Sequence, residues 1–248
     1  MNADQHSTDP ENGVFFMRVE FLVEDGVDRD KFALEFFEAT KRFNPQWSLY
    51  DKSQIMRMGI LVSKPGHCLV DLLYLWRSGE LRVEIPFVAS NYEAHRQLVE
   101  QFKVPFYFIP ADKSDRKEAE LLQLASRSTD FLVLARYMQV LSNDFLNSYG
   151  KDIINIHHGF LPSFKGPSPY RQALDKGVKI IGATAHFVTG NLDEGPIISQ
   201  AVVQITHRDS LDGLVRKGKN LEKHALSDAV FSYVDRRIIR FADKTIVF

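Results

Sequence analysis

Asp152-Ile-Ile-Asn-Ile-His-His-Gly-Phe-Leu-Pro162 sets three isoleucines around one amide, then breaks into a histidine pair, a glycine and a proline. The apolar part reads as a buried strand, and the remainder as a loop leaving its carboxyl end. In open α/β sheets, ligands sit at that end. Asn155 and His157 are two apart, so on one strand they share a face. Further on, Asn191-Leu-Asp-Glu-Gly-Pro196 carries Asp193, a carboxylate in a turn-rich segment. An amide, an imidazole and a carboxylate suit attack on a small carbonyl. The amide can donate to a developing oxyanion, the imidazole can donate or shuttle a proton, and the carboxylate can orient a nucleophile or tune the imidazole. No nucleophilic Ser or Cys is needed, so the nucleophile is the acceptor itself, water or an amine.

Around this strand the chain alternates. Apolar runs at 55–62, 83–89, 105–109, 130–135, 152–156, 180–188 and 196–205 are separated early on by helical patterns near 68–78, 92–103, 115–127 and 143–149. Strand–helix alternation with continuous apolar strands predicts an α/β fold with an open, doubly wound, mostly parallel sheet. No full helix fits between 188 and 196, so part of the sheet is expected to be antiparallel. Asp209 or Ser210 caps a long helix reaching about Asp235, and residues 243–248 read as a last short strand. Residues 1–53 differ. Asp9 to Gly13 is a turn cluster, 14–23 a strand, and Asp28 to Phe43 an amphipathic helix with Phe32, Phe36, Ala39 and Phe43 at helical spacing. The expected domains are 1–53 and 54–248.

At 248 residues the chain suits one large domain, or one with a small companion. A net charge of -1 exerts no overall pull toward nucleic acid or membrane. Cys68 is the single cysteine, which excludes an internal disulfide and fits a reducing compartment. The first residues carry no apolar stretch, and no segment reaches the ~20 apolar residues of a membrane helix. The expectation is a cytoplasmic protein.

The motifs are similar, in order and spacing, to the folate-dependent formyltransferase superfamily, whose signature is Asn-x-His followed by a loop Asp. The resembling segments are Val62 to Leu73, Trp76 to Leu81, Leu134 to Ser142, Asn155 to Tyr170, Gly182 to Thr189 and Leu192 to Ile198, spread over nearly all of 54–248. The longer match is to members that hydrolyse 10-formyltetrahydrofolate to tetrahydrofolate and formate, which would supply formate for purine synthesis and balance one-carbon folate pools. Formyl transfer to an amine, or a catalytically weak folate binder, are the alternatives. The resemblance implies that Asn155 and protonated His157 hold the formyl oxygen, while Asp193 positions water and accepts its proton or keeps His157 charged. It implies that Arg136, Tyr137, Met138, Gln139, Val140 and Leu141 bind the pterin edge through backbone groups, with His67 and Gly166 beside the substrate. No cofactor or metal is expected. The expected partners are the folate itself and further copies of the chain.

By the same resemblance, residues 1–53 are similar to the back part of an ACT-type regulatory domain lacking its first strand and helix. That predicts poor packing for residues 1–13 and catalysis without amino-acid regulation. Family members usually carry Ser at Gly159, Gly-Ala-x-Pro-Tyr where this chain has Gly166-Pro-Ser-Pro-Tyr170, and Ser-Asn-His where it has Ser90-Asn91-Tyr92.

Plainer readings compete at several positions. His158 should point away from His157 and simply pack. A His157–His158–His186 metal site is a rival, but adjacent histidines on a strand are poor joint ligands. Met138 and Val140 could be core. The turn at 63–69 has one glycine, Gly66, and a proline, which argues against a phosphorylated acceptor. His67 could instead cap the helix, and Cys68 reads as a small buried residue. Arg216, Lys217, Lys219, Arg236, Arg237 and Arg240, interleaved with Glu222, Asp228 and Asp235, read as a solvated face.

Overall fold

A computed structural model of the chain describes all residues except 10, 12, 24–25, 112–116 and 165–167. It divides into two compact units, residues 1–54 with Phe248 and residues 55–247.

In the first unit, β1 (Asn2–Ser7) pairs antiparallel with β2 (Phe15–Glu20), from Asn2 opposite Glu20 to Ser7 opposite Phe15. The expectation of poor packing for residues 1–13 agrees with the exposure of the side chains described there, but the backbone is ordered into a strand. Backbone pairing needs no apolar side chain, so Asn2-Ala-Asp-Gln-His-Ser7 forms a full strand, although nearly all its side chains stay exposed. Helix α1 (Arg29–Thr40) starts where Asp28 accepts from the amides of Asp30 and Lys31. A 3₁₀ turn over Lys41–Phe43 ends it, with Asn44 left-handed. None of its side chains is fully buried. Aromatic contacts hold it instead: Phe21–Phe32 at 5.3 Å, Phe32–Phe36 at 6.3 Å and Phe36–Trp47 at 5.1 Å.

The second unit contains β3 (Met56–Val62), α2 (His67–Arg77), β4 (Val83–Glu84), β5 (Val88–Ser90), α3 (Arg96–Gln101), β6 (Phe106–Phe108), α4 (Glu118–Ser128), β7 (Phe131–Leu134), α5 (Asn143–Tyr149), β8 (Ile153–His157), α6 (Pro169–Asp175), β9 (Ile180–Phe187), β10 (Ile197–Gln204), α7 (Leu211–Val234), β11 (Ile238–Phe241) and β12 (Lys244–Val247). The main sheet has the order β10-β9-β8-β7-β3-β5-β6, with β4 on β3. Pairings from β8 to β6 are parallel, while β9 and β10 are antiparallel. The fold is therefore mixed α/β with a mostly parallel sheet. The expected run 83–89 is split in two, α6 had no sequence signal strong enough to mark it, and β11–β12 is a separate hairpin.

Alternation along β3 divides the core. Met58, Ile60 and Val62 pack on one face with Leu69, Leu72, Leu226 and Val230. Leu61 faces the other side, with Phe87, Leu132, Leu134, Leu121 and Phe145. All the β3 residues named are fully buried, as strands covered on both faces must be. Helix α7 covers the first face with Ala225, Leu226, Ala229 and Val230, and its buried side continues through Leu214, Gly218 and Glu222. Their spacing of three and four is the helical stripe, and Glu222 lies in its middle.

Candidate active site

The strand β8 ends at His157, with His157 only 5% exposed. Leu134 pairs with Asn155 across β7 and β8, so the segment 135–141 leaves the sheet beside Ile156 and His157. On the other side, β9 runs antiparallel and places His186 directly opposite Asn155. The carboxyl end of β8 is thus walled by a loop from one neighbour and by strand residues from the other.

Asp193 comes to this point from the β9–β10 connection, in the left-handed region at φ 56°. Asp tolerates that conformation better than most residues. Its Oδ2 lies 3.2 Å from His157 Nδ1, and its Oδ1 3.7 Å from His186 Nε2. Burial works to raise the Asp193 pKa, but hydrogen bonds from His157 and His186 outweigh it and hold the carboxyl well below the usual range. His157 Nε2 lies 3.3 Å from the Phe164 carbonyl. Both ring nitrogens of His157 therefore face oxygen acceptors, and the ring can donate at both ends. The Phe164 contact is long, so that N–H can turn to a better acceptor.

His186 belongs to the same group, although the sequence suggested it only as a rival metal ligand. Its Nδ1 donates to the Phe187 carbonyl at 2.9 Å, and its Nε2 is 3.2 Å from Asn155 Nδ2. Neutral His186 accepts from the Asn155 amide; protonated, it donates to Asp193. In either arrangement Asn155 keeps an N–H for a ligand. The signal that would have identified His186 is its register opposite Asn155, and an antiparallel register is not visible in one strand's pattern.

Gly159 gives His157 room. A Cβ at that position would stand 2.8 Å from His157 Nε2 and 3.1 Å from the Phe164 carbonyl. The serine usual at this position in the resembling family would force the ring or the loop to shift. His158 departs from the expected alternation, because the strand has already ended. Its ring lies 5.4 Å from that of His157 and 5.9 Å from that of Tyr170. Burial, and then the nearby Arg136 cation, lower its pKa to about 4.

The segment 136–141 is held by Ser63. The Ser63 amide donates to the Arg136 carbonyl at 3.1 Å, and the Met138 amide donates to Ser63 Oγ at 2.9 Å. Ser63 Oγ donates in turn to Asn91 Oδ1 at 2.7 Å. Met138 and Val140 are about half exposed, so they are not core; Leu141 is buried, and Tyr137 packs beside it. Gly166 and Pro167 lie outside the described residues.

His67 does not cap α2, whose N-cap is Gly66. Its Nε2 lies 2.8 Å from Glu222 Oε2. Glu222 is only 2% exposed, which corrects its placement on a solvated face. Tyr170 donates to its Oε1 at 2.6 Å, and Arg136 Nε sits 3.3 Å from Oε2, an ion pair outside hydrogen-bond geometry. Burial raises the Glu222 pKa, yet His67, Arg136 and Tyr170 together bring it below the ordinary value. Burial and Glu222 push the Tyr170 hydroxyl well above its usual range, so it remains a donor. Gly218, one turn before Glu222, makes this possible: a methyl group there would overlap the Tyr170 hydroxyl.

Among the described residues, the His/Cys/Asp/Glu group whose ligand atoms converge is His67, Cys68 and Glu222, within 4.8 Å of one another. It is a poor fit for a cation. Arg136 already occupies Glu222, and burial pushes the Cys68 thiol far above its usual range. Among the described residues, no helix is long and apolar enough to cross a membrane.

Residues 56–230 match the family model described as formyl transferase. The chain is 44% identical to the formyltetrahydrofolate deformylase of Bacillus subtilis over 253 residues, covering 100% of this chain and 84% of that protein. A crystal structure of a formyltetrahydrofolate deformylase from Pseudomonas syringae superposes with a TM-score of 0.91 at 41% identity, over 100% of this chain and 84% of that one. A glycinamide ribonucleotide transformylase from Symbiobacterium toebii superposes less closely, with a TM-score of 0.74 at 29% identity, over 82% of this chain and 98% of its own.

Proposed function

The chain belongs to the formyl transferase family, among its formyltetrahydrofolate deformylases, and from that premise we propose that it hydrolyses 10-formyltetrahydrofolate to tetrahydrofolate and formate. The supporting observation is the buried His157–Asp193 contact at the end of β8, with Asn155 two residues before it on the same strand. In this reading the folate ring lies along 136–141 and meets backbone groups fixed by Ser63. The formyl group points to Asn155 and His157. Water adds to the formyl carbon, and the carbonyl oxygen becomes an oxyanion held by the Asn155 amide and the His157 ring. Asp193 keeps His157 oriented and charged, and receives the proton of the attacking water directly or through the ring. As the C–N bond breaks, that proton passes to N10, giving a secondary amine and formate. The substrate is a small-molecule folate, and the chemistry runs through side chains without a metal or cofactor.

The test is formate release from 10-formyltetrahydrofolate with no amine present. Formate and tetrahydrofolate in equal amounts support the hydrolase. Turnover only with an added amine indicates a transferase, and tight folate binding with neither product indicates a binding protein.

A further inference from the structure

Three elements send a polar side chain to the buried carboxylate of Glu222 on α7: His67 from the start of α2, Arg136 from after β7 and Tyr170 from α6. Burying a carboxylate costs several kcal/mol, and apolar residues of the same volume would often be as stable. Stability alone therefore does not account for the cluster. Its position is informative. His158 stands between the cluster and the reaction centre, against Tyr170 on one side and His157 on the other. Arg136 opens the segment assigned to the folate, and is held at φ 66° with its side chain 12% exposed.

A buried carboxylate one ring away from the reaction centre, across His158, would attract an amine if left open, because an ammonium group is its natural counter-ion. Here both oxygens are already engaged, one by Tyr170, the other by His67 and Arg136. His67 also lines an outer groove of about 340 Å³, with Val70, Asp71, Tyr74 and Lys223. Its imidazole thus stands between that groove and Glu222. We infer that the His67–Glu222–Arg136–Tyr170 cluster sets the acceptor of the reaction: it fills and charge-balances the side from which an amine would approach, so that water reaches the formyl carbon instead. His67 is the shutter, and Glu222 is the amine-binding group it covers. Neither touches the reacting atoms, so both act on acceptor choice through occupancy of that side.

This inference rests on the deformylase reading, and one experiment separates the two. The full chain is incubated with 10-formyltetrahydrofolate and increasing glycinamide, and formate and formylglycinamide are measured side by side. Formate from the wild type without glycinamide tests the function; the ratio of the two products tests the inference. The wild type should give formate alone at every glycinamide concentration. His67→Ala should raise the ratio of formylglycinamide to formate by about tenfold or more, increasing with amine concentration. His67→Asn, which keeps a polar group but shortens the side chain, should move it in the same direction. Adding Glu222→Gln to His67→Ala should abolish the gain, because the amide keeps the shape and loses the charge. A wild type that already formylates glycinamide, folded His67 variants that still give formate alone, or a double variant that transfers as well as His67→Ala would each overturn the inference.

Discussion

Asp193→Asn isolates the carboxylate charge more cleanly than any other change in the site. The residue sits at φ 56°, where Asn is as comfortable as Asp, so the backbone is undisturbed. Alanine would add strain. The amide also matches the carboxylate in size, so the packing of a residue whose side chain is only 10% exposed is retained. What changes is the acceptor for His157 Nδ1, now at 3.2 Å, and the charge that favours a protonated ring. General acid–base and orientation losses are typically 10²–10⁴-fold, so kcat should fall by that factor, about 3–5 kcal/mol of transition-state stabilisation. The segment 136–141 is held by Ser63, independently of Asp193, so tetrahydrofolate affinity should stay within a few-fold of wild type. Single-turnover formate release, paired with calorimetric titration of tetrahydrofolate, measures both quantities. A kcat within tenfold of wild type, or a folate affinity that falls as far as kcat, would refute the reasoning.

Gly218→Ala should destabilise the fold by about 1–3 kcal/mol in urea unfolding, because overlap with Tyr170 outweighs the ~1 kcal/mol gain in helix propensity; a stabilised variant would contradict the packing around Glu222. His158 titrates near 4 in the folded chain against 6.5 for the free side chain, so the unfolded state binds more protons between those values. Its contribution, up to about 3 kcal/mol, is complete above the unfolded value and lost as pH falls toward 4. His158→Gln should therefore flatten the stability profile in that window, while losses from Asp193 and Glu222, whose folded values are depressed, come at lower pH. Exhaustive chelation should leave formate release unchanged, and recovery of a chelated, inactive protein by added metal would reverse the assignment.

The alternation of strands and helices was legible because period is a local property. Apolar stretches such as 58–62 and 131–135 are buried on both faces and announce themselves without partners. The shared face of Asn155 and His157 follows from spacing alone. Asp193 is different: nothing in its spacing ties it to β8, and only a motif resemblance brought it forward. The loop that delivers it turns through a left-handed residue, set by the antiparallel β9–β10 pairing. His186 entered as a rival metal ligand because its partner across the sheet depends on register, which a single strand does not encode. Glu222 misled most. Its neighbours Arg216, Lys217 and Lys219 suggested solvent, while its spacing from Leu214, Gly218, Ala225 and Leu226 put it on the buried stripe. A lone acid on such a stripe is stable only with partners, and those come from residues 67, 136 and 170, far apart along the chain. Sequence alone determined the layers of the fold and the strand that carries the site. The tertiary structure alone decided which buried charges meet, because a charge is satisfied by what lies next to it in space.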